Sequence, residues 1–147
     1  MAFKFRFQSI LNYRRHQVEI AEMELAGAQH QLILTEEHLE TLKARNEDAE
    51  NRMACCLQKG VVGRKLQLWR LYLTDIQARI DEEAQRAEAM RLAVEDLRVK
   101  LLEANRKKKS MERLSNREEQ AWRQKEDRLE ERELSEMAMQ MHTRRPS

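Results

Sequence analysis

The sequence predicts an all-α fold in which two long helices turn back on each other as an antiparallel coiled-coil hairpin. Apolar residues recur every seven positions along two stretches. In the first, Leu11, Val18, Leu25, Leu32, Leu39 and Met53 form one line, and Phe7, Ala21, Ala28, Leu42, Ala49 and Cys56 form the companion line. In the second, Leu66, Leu73, Ile80, Ala87, Val94 and Leu101 form one line, and Trp69, Ile76, Met90, Leu97, Ala104 and Met111 the other. Two helices bury so narrow a seam by supercoiling around each other. The only close pair of glycines, Gly60 and Gly63, separates the stretches. Composition agrees: charged residues are 37%, aromatic residues 5%, and 147 residues include only 3 Gly and 1 Pro, a helix-forming mixture with too little apolar mass for an enclosed core.

The elements follow in order. A short lead, Met1 to Phe5, precedes a first helix from about residue 7 to 57. The turn at about 58–64 contains Lys59-Gly60-Val61-Val62-Gly63, whose glycines suit a helix stop and a left-handed conformation. The second helix runs from about 65 to 141, and the chain forms one elongated domain over 1–147. At about 1.5 Å per residue, a first arm of ~50 residues spans roughly 75 Å. Beyond about Gln120 the second helix outruns its partner. Trp122, Leu129 and Leu134 stand isolated there among charged residues such as Glu118, Arg123, Lys125 and Glu130. Such a helix is marginal alone and is expected to fray or to order against a partner.

In an antiparallel hairpin, facing seam residues have numbers adding to a constant. A sum of 122 pairs Val18 with Ala104, Leu25 with Leu97, Ala28 with Val94, Leu42 with Ile80, Ala49 with Leu73 and Met53 with Trp69. Several of these match small to large, as interdigitating layers require. Sums of 115 or 129 satisfy the heptads equally; only the loop position selects 122.

Net charge is +2, unevenly spread. Lys4, Arg6, Arg14 and Arg15 precede the first acidic residue, Glu19, and the 122 register sets them beside Arg106, Lys107, Lys108, Lys109 and Arg113. Arg14 and Lys108 fall on facing seam positions, a repulsive layer expected to loosen packing. The cluster is either a solvated helix end or an electropositive tip for an acidic socket. Nucleic acid is a weaker fit, because neither tract is long and Glu residues follow closely.

Catalytic chemistry finds no foothold. His16, His30, His38 and His142 are scattered, and Glu37-His38 lacks the second histidine of a zinc-helix motif. Cys55 and Cys56 are adjacent and alone, with Cys56 on the seam and Cys55 facing solvent. There is no phosphate-binding glycine loop and no nucleophile with an evident base, and a helix seam offers no substrate pocket. The expectation is a non-enzyme without cofactor or small-molecule substrate. No apolar run reaches membrane-spanning length, and the basic start lacks a secretory apolar core, so the cytoplasm is the default compartment.

The start of helix two is unusual. Leu66, Trp69, Leu73, Ile76 and Ile80 serve the seam, yet Leu68, Leu71 and Tyr72 lie off it, where a plain coiled coil carries charges. They either fold over the turn beside Val61 and Val62 or form an exposed patch for a protein partner, anchored by Trp69 and Tyr72.

The opening run from Phe5-Arg6-Phe7 through Leu11-Asn12-Tyr13-Arg14-Arg15-His16-Gln17, then Glu19, Ala21-Glu22 and Glu24-Leu25-Ala26, resembles the start of FliJ-type flagellar export proteins. The length, the two-helix plan, the glycine turn and Leu68-Trp69-Arg70-Leu71-Tyr72-Leu73 are similar as well; Phe7 stands where many relatives carry leucine. The resemblance implies a soluble, stalk-like coiled coil of the flagellar type III export apparatus. Such a protein sits in the pore of the hexameric export ATPase, promotes its assembly, and connects it to the membrane-embedded export gate and to escort chaperones. It would be a monomer when isolated, cytoplasmic, and peripherally associated with the cell membrane at the flagellar base. By the same resemblance Phe5, Phe7, Leu11, Arg14, Arg15, Lys107, Lys108 and Trp122 would face the ATPase. Trp69, Leu71, Tyr72, Leu73 and Ile76 would face the gate. A stalk protein of a non-flagellar type III secretion system and a generic coiled-coil adaptor or chaperone are the alternatives.

Overall fold

The computed structural model describes residues 2–60 and 63–144. It contains two helices packed against each other, α1 (Gln8–Gln58) and α2 (Arg64–Arg144), and no strand among the described residues. Helix α1 starts where the Phe5 carbonyl accepts the Gln8 N–H at 3.2 Å and the Phe7 carbonyl accepts that of Leu11 at 3.0 Å. It ends as the N–H groups of Lys59 and Gly60 donate to the carbonyls of Cys55 and Leu57, both at 3.1 Å. Gly60 takes φ +73° and Gly63 φ +96°, left-handed values that a Cβ makes costly, so the glycine pair stops one helix and releases the next. The Gly63 carbonyl then accepts the Gln67 N–H at 3.1 Å to open α2. Helix α2 continues past 141 to Arg144. Val61 and Val62, one possible cover for the apolar start of α2, lie outside the described residues, as does Pro146.

The chain divides into two units, Ile20–Leu101 and Met1–Glu19 with Leu102–Ser147. Within Ile20–Leu101 the core is the heptad seam. Ala21, Leu39, Leu42 and Ala49 of α1 and Ile76, Ala87 and Val94 of α2 are buried, and the remaining predicted seam residues are half-buried. Half-burial is what a two-stranded seam provides, since no third element covers its flanks.

Cross-helix contacts in this unit locate the register. His38 reaches Glu83 at 3.3 Å, Gln77 reaches Asn46 at 3.2 Å, Thr35 reaches Met90 at 3.2 Å and Arg91 reaches Glu36 at 3.2 Å. In the 122 register the first two pairs are one residue off level. The Glu36–Arg91 pair is offset most, by about 7.5 Å along the axis, which two long side chains span. A slip to 115 would separate Glu36 from Arg91 by about 18 Å, and a slip to 129 would separate His38 from Glu83 by about 12 Å. The contacts therefore match 122.

Within Ile20–Leu101 three seam positions are polar: Thr35, Asn46 and Glu83. The Thr35 hydroxyl donates to the Gln31 carbonyl at 3.0 Å, so its burial leaves no polar atom unsatisfied. Asn46 accepts from Gln77 and donates to Glu50 at 3.3 Å. Glu83, 8% exposed, receives Arg86 Nη1 at 2.7 Å and faces His38 Nδ1.

In the other unit Phe5, Leu11 and Val18 are buried. Phe3 packs on Trp122 with centroids 6.0 Å apart, and Phe5 meets Phe7 edge-on at 5.9 Å. The α2 stripe Ala104, Lys108, Met111, Ser115, Glu118 and Trp122 is half-buried, and three of its six members are polar. The lead thus covers Trp122, and the uncovered segment begins later than Gln120: every residue from Asp127 to Arg144 is exposed, yet helical.

Candidate partner-binding surfaces

Within Ile20–Leu101, the apolar start of α2 splits by helical face. Ile76 is buried at 3% and Trp69 and Leu73 are half-buried, because they occupy the seam. Leu68, Leu71 and Tyr72 are 59%, 68% and 45% exposed. Trp69 and Tyr72 meet edge to face, 6.1 Å between centroids at 73°, which holds the Tyr72 ring at the border of seam and solvent. Of the five residues expected at the gate, Leu71 and Tyr72 present the most surface.

Beside this patch lies a groove of about 420 Å³. Arg45, Asp48, Ala49 and Arg52 of α1 form one wall; Lys65, Leu68, Trp69 and Tyr72 of α2 form the other. It opens where the buried Ala49 leaves space that a larger seam residue would fill. Asp48 pairs with Arg52 at 3.1 Å, while Arg45 and Lys65 have no ion-pair partner among the described residues. These α1 cations escape a reading of α2 alone; their signal is their placement beside seam positions 42, 49 and 53 once the register is known.

Elsewhere in this unit Lys43, Arg79, Arg86, Arg91 and Arg98 are matched by acids. Arg91 bridges Glu88 of its own helix at 3.0 Å and Glu36 of α1. The hydrogen bond that Arg91 donates to Glu88, then that to Glu36, raises the Arg91 pKa above its ordinary value.

In the unit of Met1–Glu19 and Leu102–Ser147, Lys4, Arg6, Arg15, Arg106, Lys107, Lys109 and Arg113 are exposed. Arg15 pairs with Glu112 at 3.8 Å. Arg14 and Lys108 are half-buried on their seam positions, with the Arg14 guanidinium 5.6 Å from the Tyr13 ring centroid. Leu11 and Val18 stay buried on either side of Arg14, at 2% and 4% exposure. Of the residues expected at the ATPase, Phe5 and Leu11 are buried against their own chain, and Phe7 and Trp122 are half-buried in aromatic contacts. The cations provide the accessible part.

Among the described residues no three of His, Cys, Asp and Glu stand close enough to hold a metal ion. Cys55 is exposed and Cys56 half-buried, both as free thiols. No helix of the described residues is long and apolar enough to cross a membrane.

Comparison with curated proteins and with solved structures returned no match. The model of the flagellar FliJ protein family matches residues 3–147. That match takes in the aromatic lead, both helices and the glycine turn, so the chain belongs to the flagellar FliJ family and is a component of the flagellar protein export apparatus.

Proposed function

We propose that this protein is the non-catalytic stalk of the flagellar export machine. It engages the hexameric export ATPase, promotes its assembly, and links it to the export gate and the escort chaperones. The observation that carries the reading is the family match over residues 3–147 on a two-helix hairpin. It acts in the cytoplasm, peripherally attached to the membrane at the flagellar base.

The two surfaces divide the work. The exposed cations Arg15, Lys107, Lys109 and their neighbours attract the acidic pore of the ATPase, with Arg14 and Lys108 behind them. Leu71 and Tyr72, backed by Trp69, Leu73 and Ile76, offer an apolar face to the gate. The two sets share no residue, so they are separable by mutation.

The test is purified chain added to the export ATPase. Stimulated ATP turnover and a shift of the ATPase toward hexamers are expected. Reversing charge at Arg14, Arg15, Lys107 and Lys108 should weaken association about tenfold or more, and added salt should mimic it, because exposed charges are screened beyond roughly 10 Å at 0.1 M. An ATPase indifferent to the wild-type chain would reduce the protein to an adaptor.

A further inference from the structure

We infer that the outer face of α1, opposite the hairpin seam, takes a basic amphipathic helix of another protein along Met23, Ala26, Gly27, Ile33 and Leu34. This face shares no residue with the surfaces assigned to the ATPase and the gate, so it gives the protein a further partner.

Spacing carries the first half of the argument. Half a turn away from the seam residues Ala21, Leu25, Ala28 and Leu32, the residues Met23, Ala26, Gly27, His30, Ile33 and Leu34 recur at i, i+3, i+4, i+7, i+10 and i+11. That is the period of a single helix face. All six are exposed, Met23 by 74%, Ile33 by 52% and Leu34 by 45%. The solvent face of an amphipathic helix ordinarily carries charged and polar side chains, yet His30 is the one polar member here. Gly27 adds an independent sign. Its φ is not left-handed, and a Cβ there would meet nothing within 4 Å. Neither the backbone nor this chain's own packing calls for glycine in mid-helix, where it is a poor helix former. Ala26 and Gly27 set two small residues between Met23 and Ile33, where the ridge of a second helix can come close.

Charge names the occupant. From His16 to Leu42 the chain holds six glutamates and no Asp, Lys or Arg, although Lys and Arg number 28 in all. Glu19, Glu36 and Glu40 lie beside His16, Arg91 and Lys43. Glu22, Glu24 and Glu37, each three or four residues from a member of the stripe, have no ion-pair partner among the described residues. A second copy of this chain would set glutamates against glutamates. A nucleic acid or an anionic lipid surface would meet the same repulsion. A helix with Lys or Arg beside its own apolar stripe meets both features, as charged flanks do in coiled coils. The stripe is roughly 16 Å long at about 1.5 Å per residue, so about three turns of the partner helix cover it.

The experiment uses the full chain and a fluorescein-labelled heptad peptide of about 21 residues, with Leu on its apolar stripe and Lys on both flanks, followed by fluorescence anisotropy. A control peptide carries Glu in place of Lys. The Lys peptide should bind at least tenfold tighter than the control. Gly27→Gln should weaken that binding at least tenfold, while its melting midpoint stays at or above that of the wild-type chain, since Gln is the better helix former. Ile33→Ser with Leu34→Ser should cost a similar factor, and Leu71→Ser with Tyr72→Ser should cost nothing. Failure of the Lys peptide to bind, equal binding of the Glu peptide, or binding indifferent to Gly27→Gln overturns the inference. Sedimentation of the wild-type chain alone should show no association through this face; a dimer that Gly27→Gln dissociates would make a second copy the occupant and overturn it. In cells whose only copy carries Gly27→Gln, flagellar export should fall although the purified variant still stimulates the export ATPase. Normal export removes the partner, and lost stimulation assigns the face to the ATPase; either result overturns the inference and leaves the proposed stalk function standing.

Discussion

Single residues here act through backbone conformation as much as through contacts, and the glycines show it. An added Cβ would meet nothing within 4 Å at either Gly27 or Gly60. Space is therefore not the issue. Gly27 lies inside α1, where glycine is a poor helix former, so Gly27→Ala should stabilise by about 0.5–1 kcal/mol. Gly60 sits at φ +73°, and Gly60→Ala should destabilise by about 1 kcal/mol or more through strain. Urea denaturation of both variants checks the opposite signs; the same sign in both would mean that the turn does not require its left-handed residue.

At the scale of the helix pair, the polar seam residues bear on register. A heptad seam of Leu, Val and Ala tolerates a seven-residue slip, because every layer still meets an apolar layer. Glu83 resists it: a slip of either sign carries it away from His38, setting it level with Leu32 in the 115 register and with Asn46 in the 129 register. A polar seam residue that costs stability while specifying alignment is a known device. Cysteines tell the alignments apart in a chain lacking Cys55 and Cys56. Ala28→Cys with Val94→Cys should cross-link within one chain. Ala28→Cys with Leu101→Cys, the pair of the 129 register, should cross-link only when Glu83→Leu is added. Exclusive formation of cross-linked dimers by the first pair would indicate an intermolecular coil instead.

For the molecule as a whole, stability is unevenly distributed along α2. Asp127–Arg144 buries no side chain, whereas Trp122 is covered by Phe3. Helices of this length gain little from their own hydrogen bonds without packing. Truncation after Glu126 should lower the helical signal in proportion to the residues removed and leave the melting midpoint within about 2 °C. Truncation after Gln120 removes Trp122 and should lower the midpoint by several degrees, since about 1 kcal/mol moves a domain of this size by about 2–8 °C. Thermal melts of both chains decide it. A large drop from the shorter truncation would mean that the exposed segment packs in solution. Its exposed Leu134, Met137 and Met141 recur at helical spacing, a flexible apolar stripe of the kind that adapts to partner surfaces.

Burial in a coiled coil repeats with the chain's own period, so one strand read alone reveals it. Every residue assigned to the seam from spacing is buried or half-buried, from Phe7 to Met111. Off-seam exposure was legible for the same reason, and Leu71 and Tyr72 bear it out. What periodicity does not carry is the identity of the neighbour across the seam. Thr35 and Glu83 interrupt the apolar lines, and only the Gln31 carbonyl, Arg86 and His38 explain their burial. Phe5 and Leu11 look like anchors for a partner until the fold closes over them. Trp122 looks unpaired until the distant Phe3 reaches it. Arg45 and Arg52 become one groove with Lys65 and Trp69 only when the two helices are aligned. The heptad is a local property of sequence, but pairing between helices depends on a turn and a register that act between residues far apart in the chain, and those belong to the tertiary structure.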